Sequence, residues 1–236
     1  RQTRQLARLL EDLLDVSRIL RGKLVLNITP VNLGVIIEAA KETVRLAAEA
    51  KGIQIQTRLP PEPVILSGDS ARLQQVIWNL LSNAVKFTPP GGQVEVRLER
   101  VDSGQWIVDR PETNSPSTIH PSPSTTYAQI TVTDTGKGIS PEFLPYVFDY
   151  FRQADSTTTR RFGGLGLGLA IVRHLVELHG GTVQADSSGE GQGAMFTVRL
   201  PIIAASQTNQ SSLSSHNSSN LNLNGLKILF VDDDKD

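Results

Sequence analysis

The 236-residue chain contains no cysteine, which excludes disulfides and thiolate metal centres and fits a reducing compartment. It also lacks a long apolar run. The longest stretches, such as Leu165 to Val172, are broken by glycine and fall far below the ~20 residues that span a bilayer. No membrane contact is therefore expected in this piece, and Arg1 to Arg8 lack the apolar centre and cleavage site of a signal peptide. Nor is there an excess of charge: 23 Lys and Arg against 24 Asp and Glu give a formal net charge of -1, so no overall field favours nucleic acid. An anionic ligand would have to be held by local geometry.

What is present reads as one principal α/β domain with extra pieces. Leu6, Leu9, Leu13, Val16 and Leu20 recur at spacings of three and four, the seam of a helix packed on a partner helix, and Gly22 stops it. Leu24 to Ile28 reads as a short strand before Pro30. Asn32 caps a helix over 33–51, with Val35, Ile36, Ala39, Ala40, Val44 and Ala47 toward one side. Strands follow at Ile53 to Thr57 and Val64 to Leu66, then a helix capped by Asp69 or Ser70 and running to Phe87. Val94 to Val101 and Ala128 to Thr133 alternate as strands around a Pro/Ser/Thr-rich insertion at 102–126. A short apolar segment, Phe143 to Phe151, precedes a glycine-rich run and a helix to His179, and strands at Thr182 to Ala185 and Ala194 to Leu200 complete the order. From 204 to 224 the composition collapses to Ser, Asn and Gln, too apolar-poor to offset ordering entropy, which marks a linker.

Three elements carry chemistry. Gln75, Asn79, Asn83 and Lys86 are spaced by four, four and three, so they share one face of their helix beside the apolar Val76, Leu80, Ala84 and Phe87. Spacing alone favours a solvated face of an amphipathic helix. Two amides would, however, ligate a hard cation carried by a polyphosphate without repelling it, and Lys86 would add positive charge. Asp134-Thr135-Gly136-Lys137-Gly138-Ile139 follows a strand directly. There a carboxylate accepts from an amino group such as that of adenine, while glycines admit a ligand to the backbone; alone, the same residues also describe an ordinary turn. Gly163 to Gly168 opens a helix, aiming free N–H groups and the positive end of the dipole at phosphate, with Arg160 and Arg161 beside it.

In this order the three elements resemble the sensor histidine kinases, whose ATP fold is shared with gyrase, the ninety-kilodalton heat-shock chaperones and the MutL proteins. Asn79 to Thr88 resembles the N box, Asp134 to Ile139 the first glycine box, Phe148 to Phe151 the F box and Gly164 to Gly168 the second glycine box, within a match over Leu24 to Leu200. The resemblance implies a two-layer sandwich of a mixed β-sheet and α-helices, the Bergerat-type ATP-binding fold, preceded by one helix of a helical hairpin. It implies ATP and Mg2+ as cofactors. Asn83 would be the main magnesium ligand, assisted by Asn79, with Lys86 on the phosphates and Asp134 on the adenine amino group. Phe87 would border the base, Gly136 and Gly138 would lie beside it, Arg160 would act from a lid, and Gly164, Gly166, Gly168 and Leu169 would form the mobile phosphate loop.

The same resemblance assigns 1–22 to the second helix of a dimerisation and phosphoacceptor domain, 23–203 to the ATP-binding catalytic domain, and 225–236 to the first strand of a receiver domain. In that strand Leu226 to Val231 delivers Asp232, Asp233 and Asp234. The parent would be a cytoplasmic or membrane-anchored hybrid kinase, a homodimer that phosphorylates a histidine of its hairpin and then a receiver in cis or a separate response regulator. His120, His174, His179 and His216 lack the acidic neighbour of a phosphoacceptor, so that histidine is expected upstream of Arg1. Two rivals stand beside this reading: a hydrolytic ATPase of the gyrase or chaperone type, disfavoured because Asn79 occupies the position of the base glutamate, and a nucleotide- or partner-binding module without phosphotransfer.

Overall fold

The structure is a computed structural model that describes residues 13–19, 21–102, 126–153 and 165–202. Outside them lie Leu6, Leu9 and Leu20 of the seam, Arg160, Arg161 and Gly164, most of the insertion, the linker and the acidic terminal strand. Helix α1 covers 13–19. Val16 and Ile19 are buried in the common core, whereas Leu13 and Leu14 are exposed.

Five strands form a mixed sheet in the order β2-β4-β5-β7-β6: β2 is Gln54–Arg58, β4 Gln93–Asp102, β5 Thr126–Asp134, β6 Thr182–Asp186 and β7 Ala194–Pro201. Among the described strands of this sheet only β2 and β4 pair in parallel; the other neighbours are antiparallel. On β4 and β5 the apolar residues alternate, so Val94, Val96, Leu98, Ala128, Ile130 and Val132 face one layer of helices while Glu95, Arg97, Gln129 and Thr131 face outward. The insertion departs from the tip of this hairpin, where Asp102 stands opposite Thr126 and accepts its hydroxyl proton at 2.9 Å. The helical layer consists of α2 (Leu33–Glu49), α3 (Ser70–Phe87) and α4 (Gly168–Leu178), with α3 between the other two. The two-layer α/β sandwich expected from the sequence is thus the observed architecture.

Two local expectations need correction. The first strand is not Leu24 to Ile28 but β1, Thr29–Asn32, which pairs antiparallel with β3, Ile65–Gly68, as a separate two-stranded ribbon. Proline is tolerated there because each strand of such a ribbon has an open side needing no N–H donor. On α2 the buried side is Leu33, Ile36, Ile37, Ala40, Val44 and Ala48, while Val35, Ala39 and Ala47 are exposed. Asn32 caps the helix as expected, its side chain accepting from Gly34 N at 3.0 Å, but the stripe begins at Leu33, the first helical residue, and advances by three and four from there.

Candidate functional site

Helix α3 positions the site. Its buried Leu73, Val76, Ile77, Leu80, Leu81, Ala84 and Val85 lock it into the core, each Leu, Ile or Val side chain contributing roughly 1.5–3 kcal/mol relative to exposure. At its start Asp69 is the cap: its carboxylate accepts from Arg72 N at 3.1 Å and from Asn27 N at 2.9 Å. Burial pushes the Asp69 carboxyl up, but the N–H groups of Asn27, Arg72 and Ala71 and the Arg72 guanidinium outweigh it and hold the group below its ordinary value. The Asp69 N–H donates to His179 Nε2 at 3.0 Å, and His179 Nδ1 lies 2.7 Å from Leu175 O, so the ring carries its proton on Nδ1 and ties the start of α3 to the end of α4.

Gln75 is not part of the ligand face. Its amide donates to Asp15 Oδ2 at 2.9 Å and accepts from Arg72 at 2.8 Å, while Arg72 pairs with Asp15 at 2.7 Å. This buried carboxylate on α1 draws Gln75 away from the Asn79 face. At the far end of α3, Lys51 fills all three of its donors with the carbonyls of Val85, Lys86 and Thr88 at 2.7, 2.9 and 3.0 Å. It closes the helix terminus whose carbonyls have no intrahelical partner. Nothing local in the sequence signals this role, because the acceptors lie 34 to 37 residues further along the chain.

Between these anchors stand the expected residues. Asn79 is only 6% exposed and its Nδ2 has no hydrogen-bond partner. A buried amide left unpaired costs roughly 1–3 kcal/mol, so a position built this way is suited to a polar ligand. It faces the start of α4: a side chain at Gly168 would place its Cβ 3.2 Å from Asn79 Oδ1. The unsatisfied N–H groups of α4's first turn therefore open beside this amide. Asn83, one turn on, is half-buried. Gly166 has φ 70°, and a Cβ there would lie 2.8 Å from Arg152 O, so the loop leading into α4 demands glycine. Leu169 is partly buried against the core.

Lys86 is half-buried, and burial together with the Lys137 charge holds its ammonium below the ordinary lysine range. Its Nζ lies 4.8 Å from the centre of the Phe87 ring. Asp134 ends β5 on the core side at 7% exposure; its Oδ1 accepts from Gly136 N at 2.8 Å, and burial raises its carboxyl above the usual range against the opposing backbone donors of Gly136 and Ala194. The following turn closes on α3 through Lys137 N to Phe87 O at 3.2 Å, and Gly138 continues it with φ 69°. Asp134, Gly136, Lys137, Phe87 and Lys86 therefore form one contiguous edge, and Asn79 and Gly168 a second. Phe148 of the aromatic segment meets Phe196 edge-on at 6.3 Å, anchoring the loop below α4. The hydroxyl of Thr88, 1% exposed, is a second buried polar atom without a partner.

A buried carboxylate at one end suits a donor such as a base amino group, while an ammonium with no carboxylate partner among the described residues and a helix N-terminus with an orphaned amide N–H suit phosphate oxygens. Among the described residues no group of three or more His, Cys, Asp or Glu is arranged to hold a metal ion.

Residues 68–204 match the family described as histidine kinase-, DNA gyrase B- and HSP90-like ATPase. The chain belongs to that family. It is 42% identical over 207 residues to hybrid signal transduction histidine kinase D of Dictyostelium discoideum, covering 84% of this chain and 13% of that protein. Similarity to the circadian input-output histidine kinase CikA of Synechococcus elongatus is 37%, over 83% of this chain and 23% of that protein. Among solved structures, the mycobacterial sensor histidine kinase MprB superposes with a TM-score of 0.56 at 30% identity, covering 74% of this chain and 97% of the other. Full-length ShkA in complex with AMPPNP gives 0.64 at 30% identity, covering 83% and 35%. The chain thus spans less than a quarter of the length of the two curated relatives, which are named as histidine kinases. Among the described residues no helix is long and apolar enough to cross a membrane.

Proposed function

We propose that this chain binds ATP with magnesium and, as the catalytic domain of a two-component hybrid histidine kinase, delivers the γ-phosphate to a histidine on a dimeric helical hairpin. The observation that carries this reading is the buried, unpartnered amide of Asn79 against the start of α4, with the Asp134 carboxylate and the Lys86 ammonium on the neighbouring edge. The relative solved with AMPPNP supports the choice of nucleotide. Asp134 accepts the adenine amino proton, Phe87 borders the base, and Lys86 draws the phosphates toward α3. Gly166, Gly168 and Leu169, with Arg160 and Gly164 in the adjoining segment, shape the phosphate loop. Magnesium, when bound, neutralises phosphate charge; Asn83, helped by Asn79, holds it through amide oxygens. Rate enhancement then rests on positioning and charge neutralisation. An amide at Asn79 cannot take a proton from water, so steady hydrolysis is not expected.

In this reading 1–22 belongs to the hairpin, 23–203 is the catalytic domain, 204–224 a linker and 225–236 the start of a receiver. The parent is a homodimer acting at the cytoplasmic side. Calorimetric titration with ATP, with and without magnesium, tests it: saturable binding that both Asn83→Ala and Asp134→Ala weaken, with negligible turnover, is the expected outcome. No binding by the unmodified chain would overturn the assignment.

A further inference from the structure

The Phe87 ring is shared by two ammonium groups. Lys86 Nζ stands 4.8 Å and Lys137 Nζ 5.1 Å from its centroid. They come from different elements, Lys86 from the last turn of α3 and Lys137 from the turn after β5, and the backbone fixes that approach. Lys137 N donates to Phe87 O at 3.2 Å, and Lys137 O accepts from Gly191 N at 2.7 Å. Among the described residues neither ammonium has a carboxylate within ion-pairing distance. The ring face offers each cation some attraction, but like charges converging without an anion repel, and water screens them in part, Lys137 being exposed and Lys86 half-buried. A bound polyanion removes the repulsion and gains from both charges at once.

We infer that Lys137 is a second phosphate-binding residue, which with Lys86 grips the polyphosphate of the bound nucleotide across the Phe87 ring. The inference rests on the nucleotide reading above. It makes this edge of the site selective for charge: adenosine gains nothing from Lys137, whereas ADP and ATP do. Lys137 is exposed, so replacing it leaves the core and the Phe87 backbone contact in place.

The test compares the unmodified chain with Lys137→Met and Lys137→Arg, each titrated calorimetrically with adenosine, ADP and inorganic tripolyphosphate at two salt concentrations. Lys137→Met is expected to weaken ADP and tripolyphosphate about fivefold, the size of one charge-assisted contact at a solvated site. It should leave adenosine unchanged and flatten the salt dependence, and Lys137→Arg should restore both anions. Equal losses for adenosine and ADP, or no loss for either anion, would overturn the assignment while leaving nucleotide binding intact. Failure of the unmodified chain to bind adenosine and ADP, with tripolyphosphate still weakened by Lys137→Met, would remove the nucleotide reading and keep the anion site. Binding of none of the three overturns both.

Discussion

Replacing Lys51 by methionine isolates one interaction, because the side chain keeps its length and loses only its ammonium. Three carbonyls at the end of α3, those of Val85, Lys86 and Thr88, then lose their donor. A hydrogen bond to a charged group contributes roughly 1.5–3 kcal/mol and a cation at a partly buried helix C-terminus up to ~2 kcal/mol. Lys51 is half-buried, so water replaces part of what is lost, and the net cost is expected at about 2 kcal/mol. For a domain of this size that lowers the melting temperature by roughly 4–8 °C. A urea titration should show a lower midpoint at unchanged slope. Nucleotide affinity should fall as well, since Lys86 and Phe87 stand in the turn that Lys51 closes. Lys51→Arg should recover only part of the loss, because a planar guanidinium cannot aim three donors at carbonyls converging on one point. Melting of Lys51→Met within about 1 °C of the unmodified chain would refute the reasoning, since a lost cap of this kind must register.

Two further substitutions probe the carboxylates. Asp134→Asn should weaken ATP binding about tenfold or more, because an amide N–H replaces an acceptor facing the base amino group. Burial raises the Asp134 carboxyl, so the folded chain favours its protonated form and loses stability as pH rises from the ordinary carboxylate value through the raised one. Urea titrations from about pH 4 to about pH 8 should therefore show the variant gaining on the unmodified chain across that window, with a constant difference between the two above it. Asp69→Ala removes a cap and should cost about 1–2 kcal/mol near neutrality. Here the sign is opposite: the folded carboxyl is depressed, so the contribution is present above the ordinary carboxylate value and vanishes as pH falls through the depressed one. A cost that persisted unchanged in acid would refute that account.

The helices and most strands were legible because their signals are local. Asn32 and Asp69 precede apolar periodicity, glycines follow it, and the alternation on β4 and β5 has a period of two. The expected strand at 24–28 failed because Val25 and Ile28 are exposed despite their β-forming character; neighbours elsewhere in the chain, not propensity, decided. Asn79, Asn83 and Lys86 were found as a row on one helix, but the same row included Gln75, whose partner Asp15 lies 60 residues earlier and could not be read from spacing. Lys51 and Lys137 escaped for the same reason. Both stood in plain view beside glycines, yet their roles depend on which carbonyls and which ring the fold brings to them.

The strand order has a consequence beyond the site. Its interior strands run for 8 to 10 residues, whereas the borders, β2 and β6, have 5 each and alternate exposed polar residues such as Gln54, Gln56 and Arg58 or Thr182, Gln184 and Asp186. A border this short and this hydrophilic offers a poor template to another extended chain. The sheet is therefore guarded against strand addition and fibre-like stacking at both margins. On the reading proposed above, in which copies of the unit sit tethered together, such margins keep it from adhering to them through its backbone.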